Sequence, residues 1–218
     1  MHLIENEIFL ADSSMIVSSR VLLIDGLSLI SLISIALLGD CLCFGRPWSF
    51  HVLSHPHLRA LTDNFTHGLI SVLATAFLFG YNRYFLLAFA FIAGSFVDVD
   101  HVNYLLSLFL HRPLHDQPRG RGFLHNSLLL LSINLIVLTL EYTLSRPHYI
   151  IYSVIFFLGW STHHLRDAQR HGLTFLPLGE TPPIDHYLPI MCLILVLMKF
   201  SQTIFPTRQL TSTNFSIV

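Results

Sequence analysis

The feature that most constrains this chain is a series of long intervals that contain no charged residue. Residues 64–82, 122–140 and 147–165 each lie between charged residues and hold only apolar and uncharged polar side chains. A helix needs about 20 mainly apolar residues to cross the hydrocarbon core of a bilayer. Only 11% of the 218 residues are charged and 53% are hydrophobic, whereas soluble domains carry about a quarter charged residues. The sequence therefore predicts a multi-pass helical membrane protein.

Three further intervals complete a predicted all-α transmembrane bundle of about six spans. Residues 84–97 are shorter but almost wholly apolar, residues 21–39 are interrupted only by Asp25, and residues 187–205 carry Lys199 near one end. Asp25 is expected either to pair with another polar group or to lie near the interface. The predicted organisation is an N-terminal tail, a bundle and a C-terminal tail: residues 1–20, 21–206 and 207–218.

Net charge argues against nucleic acid as a partner, and the cysteines argue against a thiolate metal site or a disulfide framework. The formal net charge is -1 with histidine neutral, so no basic surface is available to attract nucleic acid. The three cysteines do not have the spacing of a thiolate zinc site, and they cannot form a disulfide framework. The predicted partner is therefore the lipid bilayer itself, and the predicted location is an integral membrane position.

Histidines and aspartates collect at the ends of four predicted spans. The chain has 14 histidines, and several occur with aspartates in the motifs LTDNFTHG, FVDVDH, RGFLHNS and WSTHHLRDAQRHG. The residues concerned are Asp63, His67, Asp98, Asp100, His101, His125, His163, His164, Asp167 and His171. In a six-span arrangement these four span ends lie on the same side of the membrane. The pattern predicts one polar cluster at one membrane face, and the larger number of arginines on that side predicts the cytosolic face.

The cluster has the composition of a divalent-metal site. Asp63 and His67 are four residues apart, as are His163 and Asp167, so each pair shares a helix face. Imidazole and carboxylate are ligands of zinc, and catalytic zinc sites use about three protein ligands. The candidates exceed the need of one ion, and two ions bridged by a carboxylate would use them. The sequence therefore predicts zinc, as one ion or two, with these candidate ligands: His67, Asp98, Asp100, His101, His125, His163 and Asp167.

Three classes of function use such a cluster. An enzyme would hydrolyse a phosphoester, such as that of a phospholipid, with Asp98 or Asp63 as general base. A non-catalytic protein would use the cluster to join its helices. An ion transporter would need polar groups across the whole bilayer, but here they are concentrated at one end, which counts against transport. The candidate substrate-binding residues are Arg121, Arg166, Arg170 and His171.

The motifs resemble the transmembrane protein 267 family of animals. The resemblance runs from about Leu58 to about Leu188. It includes RALTDNFTH, VDVDH, RGFLHNS and FLPLGETPP, and its most specific part is WSTHHLRDAQRHG. It implies a membrane-spanning protein and supplies no activity.

The order of the motifs is more distantly similar to the bacterial inner-membrane proteins of the YdjM type, which are regarded as metal-dependent hydrolases. That group is in turn similar to zinc-dependent phospholipases C and nucleases, so the resemblance implies phosphoester chemistry by analogy. Its motif positions correspond to His67, Asp98, Asp100, His101, His125, His163 and Asp167. This chain departs from the bacterial pattern at Gly120, where the pattern has histidine, and at Val97 and Asn126. The loss of one histidine leaves both a catalytic and a non-catalytic metal site open.

Overall fold

Six α-helices make up most of the part of the chain that the structure describes. A computed structural model describes residues 2–45, 53–101, 122–144 and 150–204. The helices are α1 (His2–Phe44), α2 (Pro56–Phe79), α3 (Tyr84–Phe96), α4 (Ser127–Thr143), α5 (Ile150–His171) and α6 (Tyr187–Ile204). Short 3-10 turns cover Val97–His101 and Phe123–His125, and a small hairpin pairs β1 (Thr174–Phe175) with β2 (Gly179–Glu180). The predicted all-α class is confirmed.

Each predicted span overlaps one helix, but the helices differ in their capacity to cross a bilayer. Within the described residues, Val21–Phe44 is the one helical segment both long enough and apolar enough to do so by length and composition. Tyr84–Val99, Ser127–Thr143 and Tyr187–Gln202 are apolar but shorter. The predicted N-terminal tail is helical from His2 and continuous with this first apolar segment, while residues 207–218 lie outside the described residues. The number of crossings therefore stays a prediction.

Successive helices alternate in direction, so the same end of the bundle receives the ends of α1, α3 and α5 and the starts of α2, α4 and α6. At this end Arg166 of α5 contacts Asp40 of α1 and Asp63 of α2. Asp40 also accepts a hydrogen bond from Tyr187 at the start of α6. We call this end of the bundle the ligand end, after the candidate ligands that the sequence predicts there. α2 and α5 lie at the centre of the bundle, because each contacts three or more other helices.

Two glycines allow α3 to lie almost backbone to backbone against α2 and α5. A Cβ atom at Gly159 would lie 2.9 Å from Ala93 Cβ and 3.0 Å from Gly94 N. A Cβ atom at Gly94 would lie 2.0 Å from Ser71 Oγ. Small residues permit such close approach between helices in membranes. The approach brings the Gly94 carbonyl within 2.8 Å of His163 Nδ1, so the crossing also fixes a ring at the ligand end.

The chain folds back on the ligand end immediately after α5. Gly172 has a φ of 76°, and a Cβ atom there would lie 1.8 Å from the carbonyl oxygen of Thr181. This left-handed turn starts the β1–β2 hairpin, whose Thr174 pairs with Asn126 in an isolated bridge. The hairpin therefore packs the segment after α5 against the segment that carries His125.

Candidate metal centre

Four side chains from three segments of the chain meet at one point of the ligand end. His163 and Asp167 are one turn apart on α5, His125 lies in the turn before α4, and Asp98 lies in the turn after α3. His125 Nε2 lies 3.7 Å from Asp98 Oδ1 and 3.4 Å from Asp167 Oδ2. His163 Nε2 lies 3.6 Å from each of the same two oxygens. Two imidazoles and two carboxylates therefore face one another.

His67 of α2 joins this group from the other side of His163. The two rings are stacked with centroids 3.7 Å apart. His67 Nε2 lies 3.4 Å from Asp167 Oδ1 and 3.9 Å from Asp63 Oδ1. Asp167 therefore presents one oxygen to His125 and His163 and the other to His67, as a bridging carboxylate would.

The tautomer of His163 shows that its second nitrogen needs a cation. A carbonyl oxygen only accepts hydrogen bonds, so His163 Nδ1 donates to the Gly94 carbonyl at 2.8 Å. In the neutral ring this leaves a lone pair on Nε2, which faces the carboxylates of Asp98 and Asp167. Lone pair and carboxylate repel unless a proton or a metal ion lies between them. A backbone partner that fixes the ring in this way is typical of metal-ligating histidine.

Several of the unsatisfied polar atoms in the described part of the chain lie at this point. Among the described side chains, His163 Nε2 and both ring nitrogens of His67 are buried without a hydrogen-bond partner. Such groups are uncommon in folded proteins, because each costs about 1–3 kcal/mol. Two of these three nitrogens, His163 Nε2 and His67 Nε2, face carboxylates, an arrangement that suits a cation between them.

The separations between the candidate donor atoms also suit a metal ion. With bonds of roughly 2.1 Å and tetrahedral angles, neighbouring donor atoms lie about 3.4 Å apart. The four nitrogen–oxygen separations among His125, His163, Asp98 and Asp167 run from 3.4 to 3.7 Å. Ordinary N–H···O hydrogen bonds have a length of about 2.9 Å. The residues present therefore fit a zinc ion better than they fit direct hydrogen bonding.

Two arginines neutralise part of the negative charge beside this centre. Arg166 is almost fully buried, and its guanidinium lies 2.9 Å from Asp40 and 2.6 Å from Asp63. Arg170 pairs with Asp63 at 3.2 Å and also with Asp167. Tyr187 Oη donates to Asp40 Oδ2 at 2.5 Å. We call this set the arginine network; its members are Asp40, Asp63, Arg166, Asp167, Arg170 and Tyr187.

The arginines of this network favour the ionised forms of Asp63 and Asp167, which lie just beyond the predicted apolar spans. Burial alone would raise the pKa of Asp167, but Arg170 and the neighbouring imidazoles hold that pKa well below its ordinary value. Burial would likewise raise the pKa of Asp63, and Arg166 and Arg170 lower it. The pKa of Arg170 is raised in turn by Asp167 and Asp63, against the effect of its burial. A carboxylate must be ionised to bind a metal, and both satisfy that condition.

The structure brings most of the predicted site residues together. Asp63, His67, Asp98, His125, His163 and Asp167 converge at the ligand end. Arg121 and the side chains of Asp100 and His101 lie outside the described residues. Arg166 and Arg170, predicted to bind substrate, contact aspartates at the ligand end, and His171 is exposed at the end of α5.

His164 lies next to His163 in the sequence but has different neighbours. Its Nδ1 is 2.9 Å from Ser127 Oγ. Its Nε2 lies near Trp160 Nε1 and the Leu124 carbonyl. These contacts join the start of α4 to α5. His164 therefore supports the segment that carries His125.

Two buried members of the arginine network were missing from the sequence-based candidates. Asp40 ends the first predicted span and Tyr187 begins the last, and both are almost fully buried. One signal was present in the sequence, because the six-span arrangement puts both residues on the same side as the cluster. Their pairing with Arg166 depends on contacts between α1, α5 and α6, which the spacing of residues along the chain does not reveal.

Comparison with known proteins identifies relatives over most of the chain. A mouse protein named transmembrane protein 267 is 30% identical over 197 residues, which cover 87% of this chain and 90% of the relative. The Bos taurus protein of that name is 32% identical over 169 residues, 73% of this chain and 76% of the relative. The Xenopus laevis protein is 28% identical over 181 residues, 76% and 79% of the two chains.

No family model matches the chain, and no solved structure does. The resemblance to the animal family, predicted from the motifs, is confirmed by these relatives, while the distant bacterial resemblance stays a prediction. The chain belongs to the transmembrane protein 267 family.

Proposed function

We propose that this chain is a multi-pass membrane protein that binds a divalent metal ion at the ligand end and hydrolyses a phosphoester there. The multi-pass arrangement is supported by large apolar side chains on the outer faces of several helices. Leu22 on α1, Phe85 on α3, Leu135 on α4 and Leu193 on α6 are each 59–80% exposed. Apolar surface of this extent is unfavourable in water and suits contact with lipid.

The observation that carries metal binding is the set of orphaned imidazole nitrogens facing ionised carboxylates. His163 Nε2 and His67 Nε2 are buried and lack hydrogen bonds among the described residues. Both face Asp167, and His163 also faces Asp98. Zinc suits imidazole and carboxylate ligands together. His125, His163 and Asp167 would hold the ion, because all three are buried and their donor atoms lie within 4.8 Å of one another.

The residues around these ligands support hydrolysis. A bound zinc ion acts as a Lewis acid and makes water nucleophilic near neutral pH. Asp98 is 19% exposed while the facing histidines are almost fully buried, so it is the carboxylate best placed to accept a proton from solvent-side water. Asp63, the other candidate base, already accepts hydrogen bonds from Arg166 and Arg170.

The class of substrate rests on the bacterial resemblance and on the position of the site. A site at one end of an apolar bundle lies at the level of lipid head groups, so a phospholipid is a suitable phosphoester. Arg170 is 17% exposed and Arg166 is 1% exposed. Arg170 is therefore the better of the two for contact with an anionic head group.

A second candidate is a non-catalytic protein whose metal joins its helices. The observation that favours it is that Asp98 Oδ1 lies as close to His163 as Asp167 Oδ2 does, at 3.6 Å, and nearly as close to His125, at 3.7 against 3.4 Å. Asp98 would then be a fourth ligand and would close the coordination sphere, as in structural zinc sites. The ion would connect the segments after α3, before α4 and within α5.

Substitution of Asp98 separates the two candidates. The full chain is purified in detergent, its zinc is measured by elemental analysis, and hydrolysis is measured on phosphatidylcholine vesicles and on bis-p-nitrophenyl phosphate. The hydrolase predicts that Asp98→Asn keeps zinc and loses hydrolysis. The non-catalytic protein predicts no hydrolysis by the unsubstituted chain and loss of zinc in Asp98→Asn.

A variant that lacks two of the proposed metal-binding side chains provides the second part of the experiment. His163→Ala/Asp167→Ala removes two buried ligands and should abolish both zinc binding and turnover. His186→Ala is the matched control, because His186 is exposed in the loop before α6. Unchanged hydrolysis in the double variant would end the hydrolase proposal.

A further inference from the structure

The ligand end contains a second group of side chains with the composition of a metal site. Asp63, His67 and Asp167 present donor atoms within 4.8 Å of one another. This group shares Asp167 with the group of His125, His163 and Asp167, and it shares His67 with a third group that contains Asp98 and His163. A two-ion centre bridged by Asp167, as the number of candidate ligands suggests, would place its second ion here.

Guanidinium groups already lie beside the oxygens that a second ion would need. Arg170 contacts Asp63 Oδ2 at 3.2 Å and also contacts Asp167 Oδ1. Arg166 contacts Asp63 Oδ1 at 2.6 Å. The two aspartates of the second group therefore have cationic partners. In the first group, Asp98 Oδ1 and Asp167 Oδ2 both face the imidazoles of His125 and His163.

The charges of the ligand end also suit a single divalent ion. Its described, contacting side chains include four carboxylates, those of Asp40, Asp63, Asp98 and Asp167, and two guanidinium groups, those of Arg166 and Arg170. With neutral histidines, the carboxylates exceed the guanidinium groups by two charges, which one divalent ion neutralises. Counted over these described side chains, a second ion would leave an excess of two positive charges in a mostly buried site, where repulsion is poorly screened.

We infer that the centre holds one divalent ion per chain, and that Arg170 takes the position of the second ion. The inference rests on the proposed metal binding and chooses between the one-ion and two-ion alternatives. Arg170 bridges Asp63 and Asp167 as an ion would, but it offers no exchangeable coordination position. Asp63 is accordingly a partner of the arginines and not a metal ligand.

The test is the number of zinc ions per chain. The purified full chain is equilibrated with zinc in the presence of a competing chelator, desalted, and analysed for zinc and protein. We expect one zinc per chain. Two zinc ions per chain would overturn the inference while leaving metal binding intact, whereas no zinc would overturn the proposed function itself.

Two variants test the role of Arg170 directly. Arg170→Gln removes the guanidinium from Asp63 and Asp167, and we expect its zinc content to rise from one to two per chain. A folded Arg170→Gln that binds one zinc would overturn the replacement of the second ion by Arg170. Arg59→Gln is the matched control, since Arg59 lies near the start of α2 and outside this network, and it should bind one zinc.

The zinc affinity of Asp63→Asn provides an independent test of the inference if Arg170→Gln does not fold. Asparagine retains the size of the side chain and a hydrogen-bond acceptor for Arg166. We expect one zinc per chain with an affinity within threefold of the unsubstituted chain. A loss of tenfold or more in zinc affinity would show that Asp63 is a ligand and would overturn the inference.

Discussion

The two ends of the bundle both bury charged side chains, yet they differ in how those charges are satisfied. At the opposite end, Lys199 of α6 pairs with Asp25 of α1 at 3.3 Å and donates to the Phe77 carbonyl of α2 at 2.6 Å. This pair is balanced in charge and joins three helices. Glu141 of α4, at the same end, accepts a hydrogen bond from Ser153 Oγ through Oε1, and its Oε2 atom is buried without a described partner. At the ligand end carboxylates outnumber guanidinium groups, and buried imidazole nitrogens lack hydrogen bonds among the described residues.

The difference shows which buried polar groups indicate a ligand. An ion pair that is balanced in charge and satisfied by hydrogen bonds is explained by helix packing alone. Excess negative charge with orphaned nitrogens is not, because both are unfavourable in a protein interior without a cation. The comparison favours a structural role for the Asp25–Lys199 pair, and at the ligand end it supports the proposed metal binding.

The largest expected effect is the loss of metal when a histidine of the ligand end is removed. His163→Ala deletes a ligand nitrogen and the hydrogen bond to Gly94, so zinc affinity should fall by more than about 100-fold. Isothermal titration with zinc measures the change. The corresponding charge deletion at the opposite end, Lys199→Met, should leave zinc affinity unchanged. Equal losses in both variants would mean that zinc binding reports only global folding.

The next effect is on stability, from a substitution in the arginine network. Asp40→Asn removes one of the two carboxylates that contact the buried Arg166, and the loss of a hydrogen bond to a charged group typically costs about 1.5–3 kcal/mol. We expect a marked fall in the midpoint of thermal unfolding in detergent and in the abundance of the protein. Tyr187→Phe removes only the hydrogen bond to Asp40 and should cost about 1 kcal/mol. A fall in midpoint after Tyr187→Phe as large as after Asp40→Asn would contradict this assignment.

A third effect tests whether close helix packing positions the ligand end. Gly159→Ala places a methyl group 2.9 Å from Ala93 Cβ and 3.0 Å from Gly94 N, and overpacking of this kind typically costs about 1–3 kcal/mol. Because the Gly94 carbonyl holds the His163 ring, zinc affinity should fall together with the unfolding midpoint. Gly26→Ala is the control, since a Cβ atom there meets nothing within 4 Å. If Gly159→Ala is destabilised but keeps full zinc affinity, close helix packing does not position the ligand end.

The sequence predicts the helices and the convergence of the ligands for simple physical reasons. Uncharged intervals locate the helices, and alternation of their direction brings Asp63, His67, Asp98, His125 and His163 to one end. The roles of the arginines are less accessible. The guanidinium group of Arg166 suits anion binding, which is all that the sequence shows. Its contacts with Asp40 and Asp63 depend on how three helices pack. The number of metal ions depends on the same contacts, which is why spacing alone leaves one ion and two ions open.

The smallest expected effect is at the opposite end. Asp25→Asn removes the charge beside Lys199, but both side chains are partly exposed, with relative exposures of 18% and 27%. Lys199 also keeps its hydrogen bond to the Phe77 carbonyl and its position 5.4 Å from the centre of the Phe77 ring. Partly exposed ion pairs are worth about 0–1 kcal/mol, so the unfolding midpoint should change little and zinc content should not change. A loss of zinc in Asp25→Asn would show that the two ends are coupled and that the division between a structural end and a binding end is wrong.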